Sequence, residues 1–288
     1  MKVYKGESFS QVYKESLYDL YYSPEFETQP RDLKIKENLN VALEIENPIL
    51  SLYDNHRRGS QEKYIAAELL WYFLGRNDVS FIKKFASFWE TIQNEDGTVN
   101  SSYGNLLFKK KNRFGKTQYE WAIESLIQDS DSRQAIMHFN LPEHQYPGNK
   151  DFVCTMYGIF HIRDNKLHLT VSMRSNDAIL GTPTDIAFFS ILQQQALAHL
   201  KFEKYPELKL GSYTHVINSY HIYERNFKIV EEMLEYGFYP LDFPELSHNL
   251  IYKNGKPAAS LKLLENNYLD KELVNQDPLY NWIQQKIK

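Results

Sequence analysis

The chain has one cysteine in 288 residues, Cys154. That excludes an internal disulfide and every metal site that needs several thiolates. Charge of neither sign dominates, because 33 Lys and Arg face 37 Asp and Glu for a formal charge of −4. A general nucleic-acid binder would need a basic face, so that class is disfavoured. No apolar run approaches the length of a membrane span. The N-terminal "MKVYKGESFSQ" lacks the apolar core of a secretion signal. The expected location is therefore cytoplasmic, the host's cytoplasm if the chain is phage-encoded. Glycine and proline are sparse at 12 and 11, and no Pro/Gly/Ser-rich linker or internal repeat divides the chain. The expectation is a single α+β domain over residues 1–288.

Familiar ligand signatures are also missing. Gly115-Lys116-Thr117 resembles the end of a phosphate-binding loop, but Lys110 stands where its first glycine belongs. There is no Gly-x-Gly-x-x-Gly, and none of the nine histidines forms a His-x-x-x-His pair. Neither a metal nor a dinucleotide is expected. The basic stretch "KKKNRFGK", Lys109 to Lys116, reads as a solvated loop before it reads as a phosphate-steering patch.

What the chain has is aromatic surface: 15% of its residues, 21 of them Tyr. Such content suits large packed rings or a ring-binding cleft. Spacing predicts helices over residues 8–21, 61–75, 78–92 (with Asp78 or Ser80 as N-cap) and 184–202. Residues 39–47 alternate like a strand, and 214–227 run from strand to helix. Two β-rich runs flank Asp164-Asn165, which predicts a hairpin. Counting outward from that turn sets Cys154 opposite about residue 175, beside Arg174.

Several residues carry chemistry and a plainer alternative. Cys154 on a strand is an inert core thiol unless positive charge nearby favours its thiolate, and Arg174 is placed to supply it. Glu68 interrupts an apolar helical stretch, either facing water or buried with a shifted pKa. Asp185 or Thr184 fits the N-cap of the following helix. His221 and Tyr223 share one face of a strand, as a sugar-binding pair or as core aromatics.

The stretches "AELLWYFLG", "SYG", "DSRQAIM", "CTMYGIFHIRDNKL", "MRSNDAILGTPTDIA" and "SYHIYERN" occur in one order. Together they resemble the thymidylate synthase family of pyrimidine nucleotide C5-modifying enzymes, over roughly residues 60–230. The resemblance implies a large mixed β-sheet packed with helices and a homodimer joined sheet to sheet. It also implies a pyrimidine nucleoside monophosphate as substrate and 5,10-methylenetetrahydrofolate as co-substrate. On that resemblance Cys154 attacks C6 of the base, Glu68 organises proton transfer through water, and Tyr103 belongs to the hydrogen-bond network. Arg174 and Ser175 match phosphate ligands, with Arg31 a further one, and Arg133 matches an arginine lent across the dimer interface. His221 and Tyr223 match the residues on the sugar 3′-hydroxyl. Asp177 and Gly181 match positions at the folate, and Trp89 matches a tryptophan against its ring.

Departures from the pattern select a reaction. Asp185 stands where synthases have Asn, whose amide both donates to uracil O4 and accepts from N3–H. Cytosine reverses that edge, and a carboxyl can accept from its 4-amino group and, when protonated, donate to N3. Thr155 replaces the usual His after the nucleophile, and Ile92 replaces a second tryptophan. In these three respects the chain resembles phage deoxycytidylate hydroxymethylases, which quench the reaction with water where synthases use hydride. Gln134 stands where both types have a second arginine, and the C-terminal "NWIQQKIK" is unlike the short apolar tail that closes over folate in synthases. The expected activity is deoxycytidylate 5-hydroxymethyl transfer. Its rivals are thymidylate synthesis, a methyl- or hydroxymethyltransferase of dCMP, CMP or dUMP, and a non-catalytic nucleotide-binding paralogue.

Overall fold

Period-two alternation builds the centre of the molecule. Along β9 (Lys209–Tyr223), buried Gly211, Tyr213, His215 and Ile217 alternate with half-buried Ser212, Thr214, Val216 and Asn218. The structure is a computed structural model that describes residues 1–246, 250–252, 256–257 and 278–288. Among the described residues β9 lies inside an eight-stranded sheet. The sheet runs β1 (Lys2–Gly6), β3 (Ile35–Ile45), β9, β7 (Lys166–Met173), β6 (Thr155–Arg163), β5 (Ile136–His138). Two short strands extend it, β2 (Phe26–Thr28) on β3 and β8 (Asn176–Asp177) on β9. Its pairing is mixed, with β1–β3 and β7–β9 parallel and β3–β9 and β6–β7 antiparallel. This is the α+β architecture expected.

One face of the sheet is closed by helices. From α1 (Phe9–Tyr22), Ser16 meets Tyr220 of β9 at 3.2 Å. Helix α6 (Thr182–Glu203) buries Ile186, Phe188, Phe189, Ile191 and Leu192, and each such side chain contributes about 1.5–3 kcal/mol. The same helix buries three consecutive glutamines, which would each cost about 1–3 kcal/mol unpaired. They are used as clips. Gln193 Nε2 donates to Leu167 O and Gly211 O at 2.8 and 3.1 Å, Gln194 accepts from the Leu246 amide, and Gln195 donates to the Tyr119 hydroxyl. On the opposite sheet face Val3 is 59% and Tyr157 38% exposed, and among the described residues nothing covers these two side chains.

Helix α2 (Glu62–Phe73) stops two residues before Gly75, close to expectation, and α4 (Tyr103–Phe108) packs directly on its backbone. A Cβ at Gly104 would sit 1.7 Å from Tyr72 O, so only glycine permits this approach. The last described helix, α8 (Pro278–Lys286), docks on α2 through Lys286–Glu62 at 2.9 Å and buried Leu279 and Ile283. No described helix is long and apolar enough to cross a membrane.

Two expectations are corrected here. Residues 78–92 do not form one helix: Asp78 pairs with Thr98 in an isolated bridge, and only Phe88–Ile92 (α3) is α-helical. The Asp78 carboxylate is held by Arg76 at 2.7 Å and by Ser80, which favours a turn over a cap. The hairpin turns at Asp164-Asn165 as expected, both with positive φ. Its register, however, slips between Thr155 and Tyr157, so the backbone N–H of Arg174, not of residue 175, donates to Cys154 O at 2.9 Å. A β-bulge, one extra residue on β6, is the cause.

Candidate active site

The bulge puts the one thiol and its cation side by side. Arg174 Nη2 lies 3.4 Å from Cys154 Sγ, its Nε donates to Val153 O at 3.1 Å, and its guanidinium covers the Phe152 ring at 4.6 Å. Cys154 keeps some exposed surface but is densely surrounded, and burial pushes its thiol up, against the pull of Arg174 and, more weakly, Arg31. The resting sulfur is therefore a thiol, with the guanidinium placed to favour the thiolate.

A first carboxyl stands on α2. Glu68 is 6% exposed, which settles its two readings in favour of burial. Burial raises its pKa to about 8. The Tyr64 and Tyr72 hydroxyls, at 2.7 and 3.4 Å, pull it down, while Asp185 pushes it up. Trp89 Nε1 donates to the Tyr64 hydroxyl at 3.0 Å, extending the chain outward. Trp89 is itself buried and tilted against Trp71.

A second carboxyl stands on α6. The N-cap of that helix is Gly181, and neither Thr184 nor Asp185 takes the place. Pro183 inside the first turn starts the helix earlier than the apolar pattern alone indicates, which moves Asp185 one turn in. Its carboxylate lies between Asn176 and Tyr103. Asn176 Nδ2 donates to Oδ2 at 2.7 Å and the Tyr103 hydroxyl meets Oδ1 at 3.1 Å. Burial raises the Asp185 pKa to about 7, with Asn176 and Tyr103 opposing it. Thr155 Oγ1 donates to the Tyr103 hydroxyl at 2.8 Å, so Thr155, Tyr103 and Asp185 form one relay beside Cys154. A Cβ at Gly181 would come within 2.8 Å of Asn176 Nδ2, so the glycine leaves room for that amide.

The remaining expected residues divide by distance from this centre. Strand β8 pairs Asp177 with His221 of β9, joining the stretches "MRSND" and "SYHIY" in space. His221 and Tyr223 share a face as expected, with rings 5.0 Å apart and nearly perpendicular. The Asp177 carboxylate accepts from the amides of Ile179 and Leu180 at 2.8 and 3.1 Å, holding the loop that carries Gly181. Ser175 lies partly buried after Arg174. Arg31 is exposed with φ 53°, and Arg133 is exposed on the segment before β5. A cavity of about 540 Å³ opens beside Tyr64, with Phe85, Lys63 and Lys84 also in its wall. Among the described residues no group of three His, Cys, Asp or Glu could hold a metal ion.

Tyr64, Thr182 and His215 carried no signal we read in the sequence, and Asn176 stood out only as one of the polar residues at the strand end. Tyr64 could have been found, since it precedes Glu68 by four residues and shares its helix face. Asn176 is brought to Asp185 from β8, and Thr182 and His215 are brought to Asn176 from the start of α6 and from β9, contacts that no local pattern shows.

The family model described as thymidylate synthase matches residues 39–275. This chain belongs to the thymidylate synthase family. It is a one-carbon transferase acting at C5 of a pyrimidine nucleotide, in a family whose co-substrate is methylenetetrahydrofolate. It is 30% identical to the deoxycytidylate 5-hydroxymethyltransferase of Enterobacteria phage T4 over 185 residues, 61% of this chain and 73% of that protein. It is 27% identical to the deoxyuridylate hydroxymethyltransferase of Bacillus phage SP01 over 246 residues, 81% of this chain and 62% of that one. The fold is shared with a thermostable thymidylate synthase A from Bacillus subtilis, with a TM-score of 0.66 at 23% identity, covering 83% and 87% of the two chains.

Proposed function

We propose that this thymidylate synthase family member is a deoxycytidylate 5-hydroxymethyltransferase, working as one catalytic domain over residues 1–288. The observation that carries this reading is Asp185. It replaces the family's Asn, lies between Tyr103 and Asn176, and has its pKa raised by burial to about 7. A carboxyl poised near neutrality can donate from one oxygen to cytosine N3 and accept the 4-amino group on the other. Uracil offers N3–H and O4 in the opposite sense, and an ionised Asp185 would face O4 oxygen to oxygen. Buried mismatches of this kind cost about 1–3 kcal/mol each.

The residues then take these roles. Cys154 Sγ adds to C6, and the electron pair moves to C5, which becomes the carbon nucleophile. Methylenetetrahydrofolate, when bound, supplies the one-carbon unit that C5 captures. The cavity beside Tyr64 suits that molecule, since Tyr64 and Phe85 offer ring faces and Lys63 and Lys84 offer charge for its carboxylates. Trp89, Asp177 and Gly181 are the further residues assigned to the folate on the family resemblance. Glu68, largely protonated at neutral pH, holds and moves protons through water. Loss of the C5 proton to base would release tetrahydrofolate from the transferred carbon and leave an exocyclic methylene on C5; water adds to that carbon, and Cys154 leaves C6 as the product forms. Arg174, Ser175 and Arg31 hold the phosphate, and His221 and Tyr223 hold the sugar hydroxyl. Arg133 reaches a second subunit's site across a dimer built on the sheet face that carries exposed Val3 and Tyr157.

The name of one relative, the deoxyuridylate hydroxymethyltransferase of Bacillus phage SP01, favours a second reading, hydroxymethyl transfer to deoxyuridylate. Mass spectra of products from dCMP and dUMP, run side by side with methylenetetrahydrofolate, separate the cases. The expected product is 5-hydroxymethyl-dCMP. Turnover of dUMP with dCMP untouched overturns the proposal, and a methylated product overturns its water-quenching step.

A further inference from the structure

Asp185 is not free to present its two oxygens to a base in either sense, because one of them faces a donor that is itself locked. Asn176, 3% exposed, sends Nδ2 to Asp185 Oδ2 at 2.7 Å. Its own Oδ1 receives the Thr182 hydroxyl at 2.6 Å and faces His215 Nε2 at 3.1 Å. His215 is fully buried, and burial lowers its pKa to about 3, so the ring is neutral. Its Nδ1 meets the Tyr213 hydroxyl at 2.6 Å, and burial first of all keeps that phenol protonated. Tyr213 thus donates to Nδ1, the ring proton sits on Nε2, and Nε2–H donates to Asn176 Oδ1.

The consequence follows along the chain of bonds. With its oxygen fixed toward two donors, the Asn176 amide can offer Asp185 only N–H. Asp185 Oδ2 is therefore held as an acceptor, and an acid proton on this carboxyl belongs on Oδ1. Tyr103 does not impose the same restriction, since a phenol can donate to Oδ1 or accept from it. One oxygen of the base-reading carboxyl has a set polarity and the other is adjustable.

We infer that Asn176 is a specificity-positioning residue, which fixes the donor–acceptor sense of Asp185 and through it the choice of cytosine over uracil. The inference rests on the reading of Asp185 as the base contact. Asn176 itself touches neither the thiol nor, on this reading, the base. It acts through Asp185, and its orientation is set from β9 and the first turn of α6. Nothing in its role concerns affinity for the phosphate.

The test is the ratio of kcat/KM for dCMP to that for dUMP in the wild-type protein, Asn176→Leu and Thr182→Val. Leucine keeps the volume and removes the amide donor. Valine at 182 keeps the shape and removes one of the two donors that lock the amide, so it reads the lock even if the leucine variant fails to fold. The ratio is expected to fall about tenfold in Asn176→Leu and by a smaller factor in Thr182→Val. A merely structural role would lower both substrates together and leave the ratio unchanged, which overturns the inference.

A second readout is the pH profile for dCMP. Asn176 donation favours the ionised Asp185, so removing it moves the alkaline limb to higher pH. The groups that also face Asp185 are Glu68, Tyr64 and Tyr72 from α2, Tyr103 from α4, Cys154 before β6 and Tyr213 from β9. They are common to all three proteins and do not produce a shift between them. A limb that stays in place overturns the inference. The wild-type measurement separates the two layers: preference for dUMP sinks the base reading itself, whereas preference for dCMP that survives in both variants sinks only the role of Asn176.

Discussion

The two acids of this site, buried Glu68 and half-buried Asp185, are alike in energetics and unlike in support. Burial raises Glu68 to about 8 and Asp185 to about 7, and Asp185 adds to the shift of Glu68. Glu68 is held by phenols, Tyr64 and Tyr72, whose hydroxyl protons rotate. Asp185 is held by an amide whose orientation is set by Thr182 and His215. A rotating hydroxyl lets its partner gain and lose a proton without leaving a group unsatisfied, which suits proton transfer. A locked amide rewards one protonation pattern and penalises the other, which suits discrimination. On the proposed function, the two pockets divide the work between rate and choice.

The sharpest break of that division is Glu68→Gln. It should lower kcat on dCMP by about 10²–10⁴ with little change in the dCMP-to-dUMP ratio, checked by steady-state kinetics on both nucleotides. Asp185→Asn should do the converse, moving the ratio about 10- to 100-fold toward dUMP while Cys154 still forms a covalent adduct with a 5-fluoropyrimidine nucleotide. A ratio that moves in Glu68→Gln and stays in Asp185→Asn would reverse the assignment.

Tyr64→Phe tests the rotating support at a smaller scale. It removes a bond that lowers the Glu68 pKa, so the limb reporting Glu68 should move to higher pH, with kcat at neutral pH down about tenfold or less. Smallest is the effect on stability. A carboxyl whose folded pKa is raised binds its proton more tightly in the native state. Stability is therefore present below the unfolded pKa and lost as pH rises through the folded value. His215 works the other way, since its folded pKa is depressed, but its contribution is constant above the unfolded histidine range. Between pH 6.5 and 8 the carboxyls remain, each worth at most about 1.4 kcal/mol per pH unit. The melting temperature should fall over that window by roughly 2–4 °C per kcal/mol lost, and Glu68→Gln should flatten the fall.

Much of this site was legible before any coordinates. The positions of Cys154, Glu68 and Asp185 were readable because each breaks a local pattern: a lone thiol on a strand, an acid in an apolar helix, an acid at a helix start. The hairpin turn was readable because Asp164-Asn165 favours positive φ at both residues. The register beyond it was not, because a bulge depends on how the strand ends are held by their neighbours. The break in residues 78–92 was hidden for the same kind of reason, since Arg76 and Thr98 compete for Asp78 from outside the window. Asp185 as a helix cap was a sound local reading that Pro183 and Gly181 displaced.

By itself the sequence determined most element types, the one thiol and the presence of two acids in unusual places. Periodicity and residue chemistry are properties of short windows, and they survive without knowledge of the fold. Only the tertiary structure decided the state of those acids and what each can do. Burial sets their pKa values, and burial is a property of the whole packed core. Asn176 reaches Asp185 from β8, Thr182 and His215 reach Asn176 from α6 and β9, and the lock they form exists only once sheet and helix meet.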